Sequence, residues 1–326
     1  MDKGTVDLAR LAAIDAVIPA LREMVRGCRV CANVCEVDRT TGERGLCRTD
    51  APDAAHVRVA SHTLHFGEEP MLVGTRGSGT VFFTHCNLRC VFCQNWQISQ
   101  ARMGDDISAR ELADRFLELQ SRGAHNINLV TPTHVIFPIV LAVRDAVARG
   151  LRVPIVYNTN GYDRVEFLRL LEPVVDIWLP DLKYMDAEKA KRYSRARDYP
   201  ETARAALLEM VRQKGELRVD EHGVATHGVI LRHLVMPHDI GGTYDLLLWL
   251  ADEGLTDIAF SLMSQYTPQN KAGKYPELAD PVPLAEYRRI VEYALDLGFT
   301  HLLVQDFESR ENGLPDFARD EPFEWR

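Results

Sequence analysis

Residues 85–96 read HCNLRCVFCQNW and place three of the chain's seven cysteines within eight residues, as Cys86, Cys90 and Cys93. Thiolates are soft ligands that favour zinc, copper(I) or iron–sulfur clusters. A structural zinc site takes four protein ligands, so this loop would need His85 or a distant partner to complete one. A [4Fe–4S] cluster held by three cysteines leaves one iron open to a ligand that is not protein. The alternative, three thiols that only share a buried helix face, is disfavoured by the flanking asparagines and the strand-like residues before the loop.

The composition of the 326-residue chain is that of a globular protein, with 46% hydrophobic and 26% charged residues. A formal net charge of −9, with no long Lys/Arg cluster, argues against a nucleic-acid or anionic-membrane surface. No apolar run approaches the roughly 20 residues that cross a bilayer. The N-terminal residues mix charged and apolar side chains without a signal-peptide core, so we expect an amphipathic helix in a cytoplasmic protein.

A second cysteine cluster lies upstream, in GCRVCANVCEVDRTTGERGLC at residues 27–47. Its spacing is C-x2-C-x3-C-x11-C, formed by Cys28, Cys31, Cys35 and Cys47. All seven cysteines fall in the N-terminal part of the chain, whereas disulfide scaffolds are short and secreted and core cysteines are scattered. We therefore predict a second metal site, either zinc or an iron–sulfur cluster, with packing or a redox pair as the alternative.

The middle of the chain alternates short apolar runs with amphipathic stretches. The candidate strands are TVFFT (80–84), NINLV (126–130), VPIVYN (153–158), VVDIWL (174–179), VILRHLV (229–235) and DIAFSL (257–262). Between them lie helical patterns, one of which begins with Ser108 and Glu111 in capping-box spacing. Continuous apolar strands alternating with helices predict an α/β fold with a parallel sheet, either barrel-like or doubly wound.

This alternation divides the chain into three regions. Residues 1–75 form an N-terminal helix and a cysteine-rich extension, residues 76–262 form the strand–helix repeat, and residues 263–326 add a loop, a helix and a short strand. The long loops at 94–106 and 264–282 are candidate lids or docking surfaces for a substrate.

Polar side chains follow, or lie within, each of the six candidate strands. In parallel α/β sheets, ligands gather at the carboxyl ends of the strands. The residues at these positions are Cys86; Thr131, Pro132, Thr133 and His134; Asn158, Thr159 and Asn160; Asp181 and Lys183; Arg232 and His233; and Ser264, Gln265 and Tyr266. We expect them to surround one site.

The loop C-x3-C-x2-C, with Phe92 immediately before its last cysteine, resembles the signature of the radical S-adenosylmethionine (SAM) enzymes. Its surroundings, RGSGTVFFTHCNLRCVFCQNWQIS, look like the branch related to pyruvate formate-lyase-activating enzymes. The similarity extends over most of the chain, through NINLVTPTH, NTNGY, LPDLKY, LRHLVMP and SLMSQYTP.

The resemblance implies a partial (β/α)6-type barrel with a [4Fe–4S] cluster on Cys86, Cys90 and Cys93 and with SAM on the open iron. Reductive cleavage of SAM would give a 5′-deoxyadenosyl radical that abstracts hydrogen from a substrate. By the same resemblance, the substrate is a protein partner such as a glycyl-radical enzyme, and the electron donor is a flavodoxin or ferredoxin. The cofactors supply this chemistry, and the protein positions and shields them.

The resemblance also assigns roles to strand-end residues. Thr131 and Thr133 stand where the family often has a Gly-Gly-Glu motif, and here the carboxylate is missing. Asn158 and Asn160 suit ribose hydroxyls because an amide both donates and accepts hydrogen bonds. By the resemblance, Asp181 and Lys183 are expected to contact cofactor or substrate, with Lys183 also a candidate catalytic residue. Arg232 and His233 are expected to reach SAM. An ordinary buried salt bridge or strand-end turn is the alternative for each.

Two further interpretations remain open from the sequence. His62, His65, Glu68 and Glu69 form either a non-cluster metal site or, as we favour, a packed connector with hydrogen-bonded histidines. Three functions remain open for the chain. It is an activating enzyme, an enzyme that modifies a peptide or small metabolite by radical chemistry, or a non-catalytic iron–sulfur or zinc protein.

Overall fold

A computed structural model describes residues 7–49, 51, 53–305, 314–319 and 321–323 of the chain. Its strands are β1 His56–His65, β2 Ser78–Phe83, β3 Asp105–Ser108, β4 Ile127–Val130, β5 Ile155–Thr159, β6 Ile177–Pro180, β7 Arg218–Val219, β8 Ala225–Leu234, β9 Ala259–Met263 and β10 Leu302–Val304.

The strands form one sheet in the order β10-β9-β8-β6-β5-β4-β2-β1-β3, with β7 paired to β8. From β10 to β2 all neighbours run parallel, whereas β1, β3 and β7 pair antiparallel. The sheet is not closed, since β10 and β3 lie at its two ends. The predicted α/β partial barrel is confirmed.

The α-helices are α1 Leu8–Arg26, α2 Pro70–Val73, α3 Trp96–Ser99, α4 Ala109–Ser121, α5 Ile136–Ala148, α6 Val165–Leu171, α7 Ala187–Ser194, α8 Tyr199–Lys214, α9 Thr243–Asp252 and α10 Leu284–Asp296. The predicted capping box of α4 is confirmed, because the Ser108 side chain accepts from the Glu111 amide and the Glu111 carboxylate accepts from the Ser108 amide. This reciprocal pair satisfies two amides that the first turn leaves without helical partners.

The N-terminal extension is joined to the barrel more closely than its sequence indicated. β1 lies within residues 1–75, yet it pairs with β2 along most of its length and with β3 on its other side. Helix α1 packs against α5 and α6 and buries Ile14, Leu21 and Val25. The cysteine-rich loop that follows α1 is therefore held against the same body as the strands.

Near the other end of the chain, residues 314–319 and 321–323 return to the first strands of the sheet. The Phe317 and Phe323 rings each lie 5.3 Å, between centroids, from the ring of Phe82 on β2. The Phe323 ring also lies 4.4 Å from His65. These aromatic contacts close one flank of the cavity described next.

Candidate active site

A cavity of about 610 Å³ opens at the carboxyl edge of the parallel strands. Each of the six strand-end groups singled out in the sequence contributes at least one residue to its wall. The contributed residues are Cys86, Thr131, Asn158, Thr159, Asn160, Asp181, Lys183, Arg232, Gln265 and Tyr266. A cavity of this size is typical of small-molecule and cofactor sites.

The loop after β2 carries Cys86, Cys90 and Cys93 on irregular backbone, and all three line the cavity. The residue before it, His85, has φ 74, so the chain turns sharply as it leaves the strand. Such left-handed backbone in a non-glycine residue is uncommon and clusters at functional sites. The three thiols thus reach the cavity from a loop and not from a helix face.

Each thiol of this loop has a hydrogen-bonding partner on the protein. The Sγ of Cys86 accepts from the amide of Leu88 at 3.3 Å and from the Nδ2 of Asn160 at 3.4 Å. The Sγ of Cys90 accepts from the Ser194 hydroxyl at 3.0 Å.

The Sγ of Cys93 lies 3.3 Å from the Ser99 hydroxyl. Hydrogen bonds to cysteine sulfurs are one of the means by which proteins set the potential of iron–sulfur clusters.

Burial dominates the electrostatics of these thiols. It raises the pKa of Cys86 well above its ordinary value, with the nearby Cys90 thiol adding to the shift. Burial likewise raises the pKa of Cys93 to about 11, again with a contribution from Cys90. The three cysteines are half-buried as whole residues, and all of them line the same cavity.

Two ion pairs cross the cavity wall beside the cysteines. The Lys183 Nζ lies 2.5 Å from the Asp181 carboxylate. Burial lowers the pKa of Lys183, but the Asp181 carboxylate outweighs it, so the pKa is raised and the ammonium stays charged. The Arg232 guanidinium binds the buried carboxylates of Glu68 and Glu69, with its Nε 2.7 Å from Glu69.

These pairs are adjacent, because Asp181 and Arg232 are bridged as neighbours across the ends of β6 and β8. Burial lowers the pKa of Arg232, yet Glu69 and Glu68 together hold it well above its ordinary value. Three carboxylates therefore face two cations along this wall. The wall thus carries fixed charges of both signs that pair with one another.

Amide and hydroxyl groups complete the wall on the β4–β5 side. Thr131 has φ 56 and donates its amide to the Asn158 carbonyl at 2.8 Å, which turns the chain across the end of β5. Asn158 and Asn160 are nearly buried and line the cavity. Their placement suits contacts with the polar groups of a bound cofactor.

Two predicted cofactor contacts, His233 and Thr133, are not among the described residues that line the cavity. The Nδ1 of His233 contacts the Leu182 carbonyl and its Nε2 lies 2.8 Å from the Thr243 hydroxyl. Because successive side chains of a strand point to opposite faces, Arg232 and His233 cannot both face the site. Burial lowers the pKa of His233 to about 4, so this histidine is neutral.

Thr133 also lies behind the wall. Its hydroxyl donates to Asp163 at 2.7 Å, and the Thr159 and Tyr157 hydroxyls bond the same carboxyl. Burial raises the pKa of Asp163 to about 6 despite these three hydrogen bonds. Thr133 therefore supports the end of β5 and is not part of the described cavity wall, since its hydroxyl is hydrogen-bonded to Asp163.

The predicted connector residues separate into two groups. His62 lies 3.3 Å from Glu118, away from the cavity, whereas His65, Glu68 and Glu69 line it. Among the residues that the structure describes, no three His, Cys, Asp or Glu side chains are arranged to hold a single metal ion. The histidines are thus hydrogen-bonded or packed, and the two glutamates serve as partners of Arg232.

The upstream cysteines lie in a loop beside this site. The Cys28, Cys31 and Cys47 thiols are buried and Cys35 is half-buried. Burial raises the pKa of Cys31 to about 12, with Cys28 and Cys47 adding to the shift. That these four cysteines share one metal ion or cluster stays a prediction.

Several residues that touch the sulfurs or the cavity could not be identified from the sequence. Ser99 and Ser194 come from separate helices, and Phe323 comes from the chain's far end. Among them, Asn33 could have been suspected of contacting a sulfur, because it lies between two cysteines in CANVC.

Comparison with known proteins identifies the class. The family model of the radical SAM superfamily matches residues 80–247. An uncharacterized protein of Methanocaldococcus jannaschii, MJ0674, is 30% identical over 298 residues, which cover 87% of this chain and 80% of that protein. The chain belongs to the radical SAM superfamily.

Solved structures with a similar fold include SuiB of Streptococcus suis bound to its precursor peptide SuiA, 13% identical with a TM-score of 0.48. That match covers 70% of this chain and 48% of SuiB, so the chain spans about half the length of that protein. Methylornithine synthase (PylB) is 17% identical with a TM-score of 0.43, and the match covers 68% of this chain and 61% of PylB.

Membership in this superfamily supports an enzyme and implies a [4Fe–4S] cluster and SAM. The residues present fit both groups. Three thiols face one cavity, each with a hydrogen-bonding partner, and polar and charged side chains line the rest of the wall. Within the described part of the chain, no helix has the length and apolar character that crossing a membrane requires.

Proposed function

We propose that this chain is an activating-type radical SAM enzyme, which takes a hydrogen atom from a protein partner of the glycyl-radical class. Cys86, Cys90 and Cys93 would hold the cluster. When bound, the cluster and SAM would supply the one-electron chemistry that takes a hydrogen atom from the partner and leaves 5′-deoxyadenosine.

The chain's own residues would bind and shield these groups. Asn158, Asn160 and Thr131 offer donors and acceptors to the polar parts of SAM. Lys183 stays cationic beside Asp181 and offers its charge to a carboxylate. Leu88 and Phe92, apolar residues of the cysteine loop that line the cavity, would limit water near the cysteines and so protect a reactive radical from side reactions.

One observation supports a polypeptide substrate in particular. β10 forms an end of the sheet and, among the described residues, pairs only with β9. Its three residues also line the cavity, and Val304 is 47% exposed. An extended polypeptide can add to such an edge through main-chain hydrogen bonds, which would bring its side chains to the cavity mouth.

The test is anaerobic reconstitution followed by measurement of 5′-deoxyadenosine with SAM, a reductant and a candidate glycyl-radical enzyme. We expect product that depends on the partner, together with a glycyl radical signal by electron paramagnetic resonance (EPR). Cys90→Ala should abolish both, whereas His62→Gln, outside the cavity, should retain both.

The other outcomes distinguish the remaining hypotheses. 5′-Deoxyadenosine without a glycyl radical, for every glycyl-radical enzyme tried, would favour modification of a peptide or small metabolite. A cluster that binds no SAM and cleaves none with any reductant would favour a non-catalytic iron–sulfur protein.

A further inference from the structure

The two cysteine sites are joined by a short chain of hydrogen bonds. The Nδ2 of Asn33 lies 3.6 Å from the Sγ of Cys31 and donates to the Asn87 carbonyl at 2.8 Å. The next amide along the chain, that of Leu88, donates to the Sγ of Cys86 at 3.3 Å. With the dimensions of one peptide unit, these contacts place the two sulfurs no more than about 12 Å apart.

A second set of contacts fixes this connection in place. The Nδ2 of Asn160 donates to the Asn87 Oδ1 at 2.7 Å as well as to the Sγ of Cys86. Asn87 in turn donates to the Tyr162 carbonyl at 3.2 Å, and Cys31 is bridged to Asp163 of the same segment. Because Asn87 and Asn160 are buried, the link runs through protein and not through solvent.

The upstream thiols also have hydrogen-bond donors. The Arg39 guanidinium donates to the Sγ of Cys47 at 3.1 Å, and the Leu46 amide donates to the Sγ of Cys35 at 3.3 Å. Donors to sulfur stabilise the added negative charge of a reduced cluster. Zinc undergoes no redox chemistry, so a purely structural zinc site would gain nothing from contact with the second site.

We propose that Cys28, Cys31, Cys35 and Cys47 hold a redox-active iron–sulfur cluster that passes electrons to the cluster on Cys86, Cys90 and Cys93 through Asn33 and Asn87. This inference rests on the proposed function only for the presence of the cavity cluster, the one on Cys86, Cys90 and Cys93. In each transfer the upstream cluster loses one electron and the cavity cluster gains one, with no bond or proton moved. A one-electron donor protein, a flavodoxin or ferredoxin, restores the first.

The loop that carries the upstream cysteines has an exposed side, next to Cys35, where a donor protein would deliver electrons. Cys35 is half-buried, and the neighbouring Val34 and Leu46 are 39% and 64% exposed. Cys31, at the inner end, is buried against the link to Asn87. Electrons would therefore enter beside Cys35 and leave beside Cys31.

The first test is metal analysis and EPR of the full chain, purified and reconstituted anaerobically. We expect wild type to contain about twice the iron of the Cys86/Cys90/Cys93 triple-Ala variant and little zinc. Both clusters reduced together should give a broadened, magnetically coupled signal, and the triple variant should give an uncoupled one. Stoichiometric zinc in wild type, or two uncoupled signals, would overturn the proposal.

The second test follows the link itself. Asn33→Leu should keep both clusters but slow reduction of the cavity cluster by flavodoxin several-fold in stopped-flow measurements. Asn270→Leu, which removes a contact to the Cys90 carbonyl and lies off the link, is the matched control. Equal rates in Asn33→Leu and wild type would contradict the proposed path.

Removal of the upstream site separates this inference from the proposed function. A variant with Ala at all four upstream cysteines should cleave SAM with dithionite but lose cleavage driven by flavodoxin. Magnetically coupled clusters in a protein that cleaves no SAM would contradict the proposed function but would still support electron transfer between the two clusters. Normal flavodoxin-driven cleavage of SAM in the four-Ala variant would contradict electron transfer through the upstream cluster without contradicting the proposed function.

Discussion

The side-chain amide of Asn160 donates a hydrogen bond to the Sγ of Cys86 at 3.4 Å. The same amide reaches Asn87, so one residue after β5 fixes both the sulfur and the loop that carries it. A contact of this kind affects the cluster directly, because a reduced cluster places more negative charge on its sulfurs.

We expect Asn160→Leu to lower the midpoint potential of the cavity cluster. Loss of a differential stabilisation of about 1 kcal/mol corresponds to roughly 40 mV for one electron. An EPR-monitored redox titration measures this shift. Asn158→Leu, in the same wall but with no bond to a cysteine sulfur among the described contacts, should leave the potential near that of wild type. An equal shift in both variants would assign the effect to polarity and not to the hydrogen bond.

Arg232→Met should destabilise the fold strongly, because it leaves the buried carboxylates of Glu68 and Glu69 without their cation. Removing one partner of a buried ion pair reduces the free energy of unfolding by about 3–5 kcal/mol. Urea unfolding measures this loss.

Two controls accompany that prediction. Arg144→Met breaks an exposed pair with Asp15, so its effect should stay within about 1 kcal/mol. Adding Glu68→Gln and Glu69→Gln to Arg232→Met should recover much of the stability, and a failure to recover would show that the guanidinium acts mainly by packing.

The raised pKa of Asp163 predicts that the free energy of unfolding depends on pH. Its pKa is raised to about 6 in the folded protein from an ordinary value of 3.8, mainly by burial. The folded state thus binds the proton more tightly, so this contribution is fully present below pH 3.8 and is lost as the pH rises through about 6.

The size of that loss is about 3 kcal/mol. Because part of this loss occurs below pH 4.5, unfolding measured from pH 4.5 to 7.5 should show a decline of about 2 kcal/mol in wild type, and Asp163→Asn should remove this part of the pH dependence. A variant with an unchanged profile would mean that another group titrates.

Gly45→Ala should reduce metal binding at the upstream cysteines. A Cβ at this position would lie 3.0 Å from the Sγ of Cys35, tighter than ordinary contact, so the thiol would be displaced. Gly27→Ala is the matched control, since it adjoins Cys28 but its Cβ would meet nothing within 4 Å. Metal analysis of both variants in the Cys86/Cys90/Cys93 triple-Ala background measures the effect at this site alone; equal metal in the two would contradict it.

Much of the sheet was predictable because its central strands are apolar throughout, as parallel strands covered by helices must be. The last residues of β1, from His62 on, were interpreted as part of a connector because their polar side chains leave no continuous apolar run. The alternating pattern of β1 is typical of an antiparallel strand near a sheet edge. The site was predictable at the level of strand ends, but the choice between Arg232 and His233 was not, because the facing side depends on how the strand is rotated in the sheet.

The sequence by itself determined the spacing of the cysteines and the strand–helix alternation, since both depend on residues close together in the chain. Tertiary structure alone decided that Asn33 meets Asn87, 54 residues later, and that Arg232 meets Glu69, 163 residues earlier. Hydrogen bonds and ion pairs act only at contact distance, so these partners exist only once the sheet has brought its strand ends and the cysteine-rich loop together.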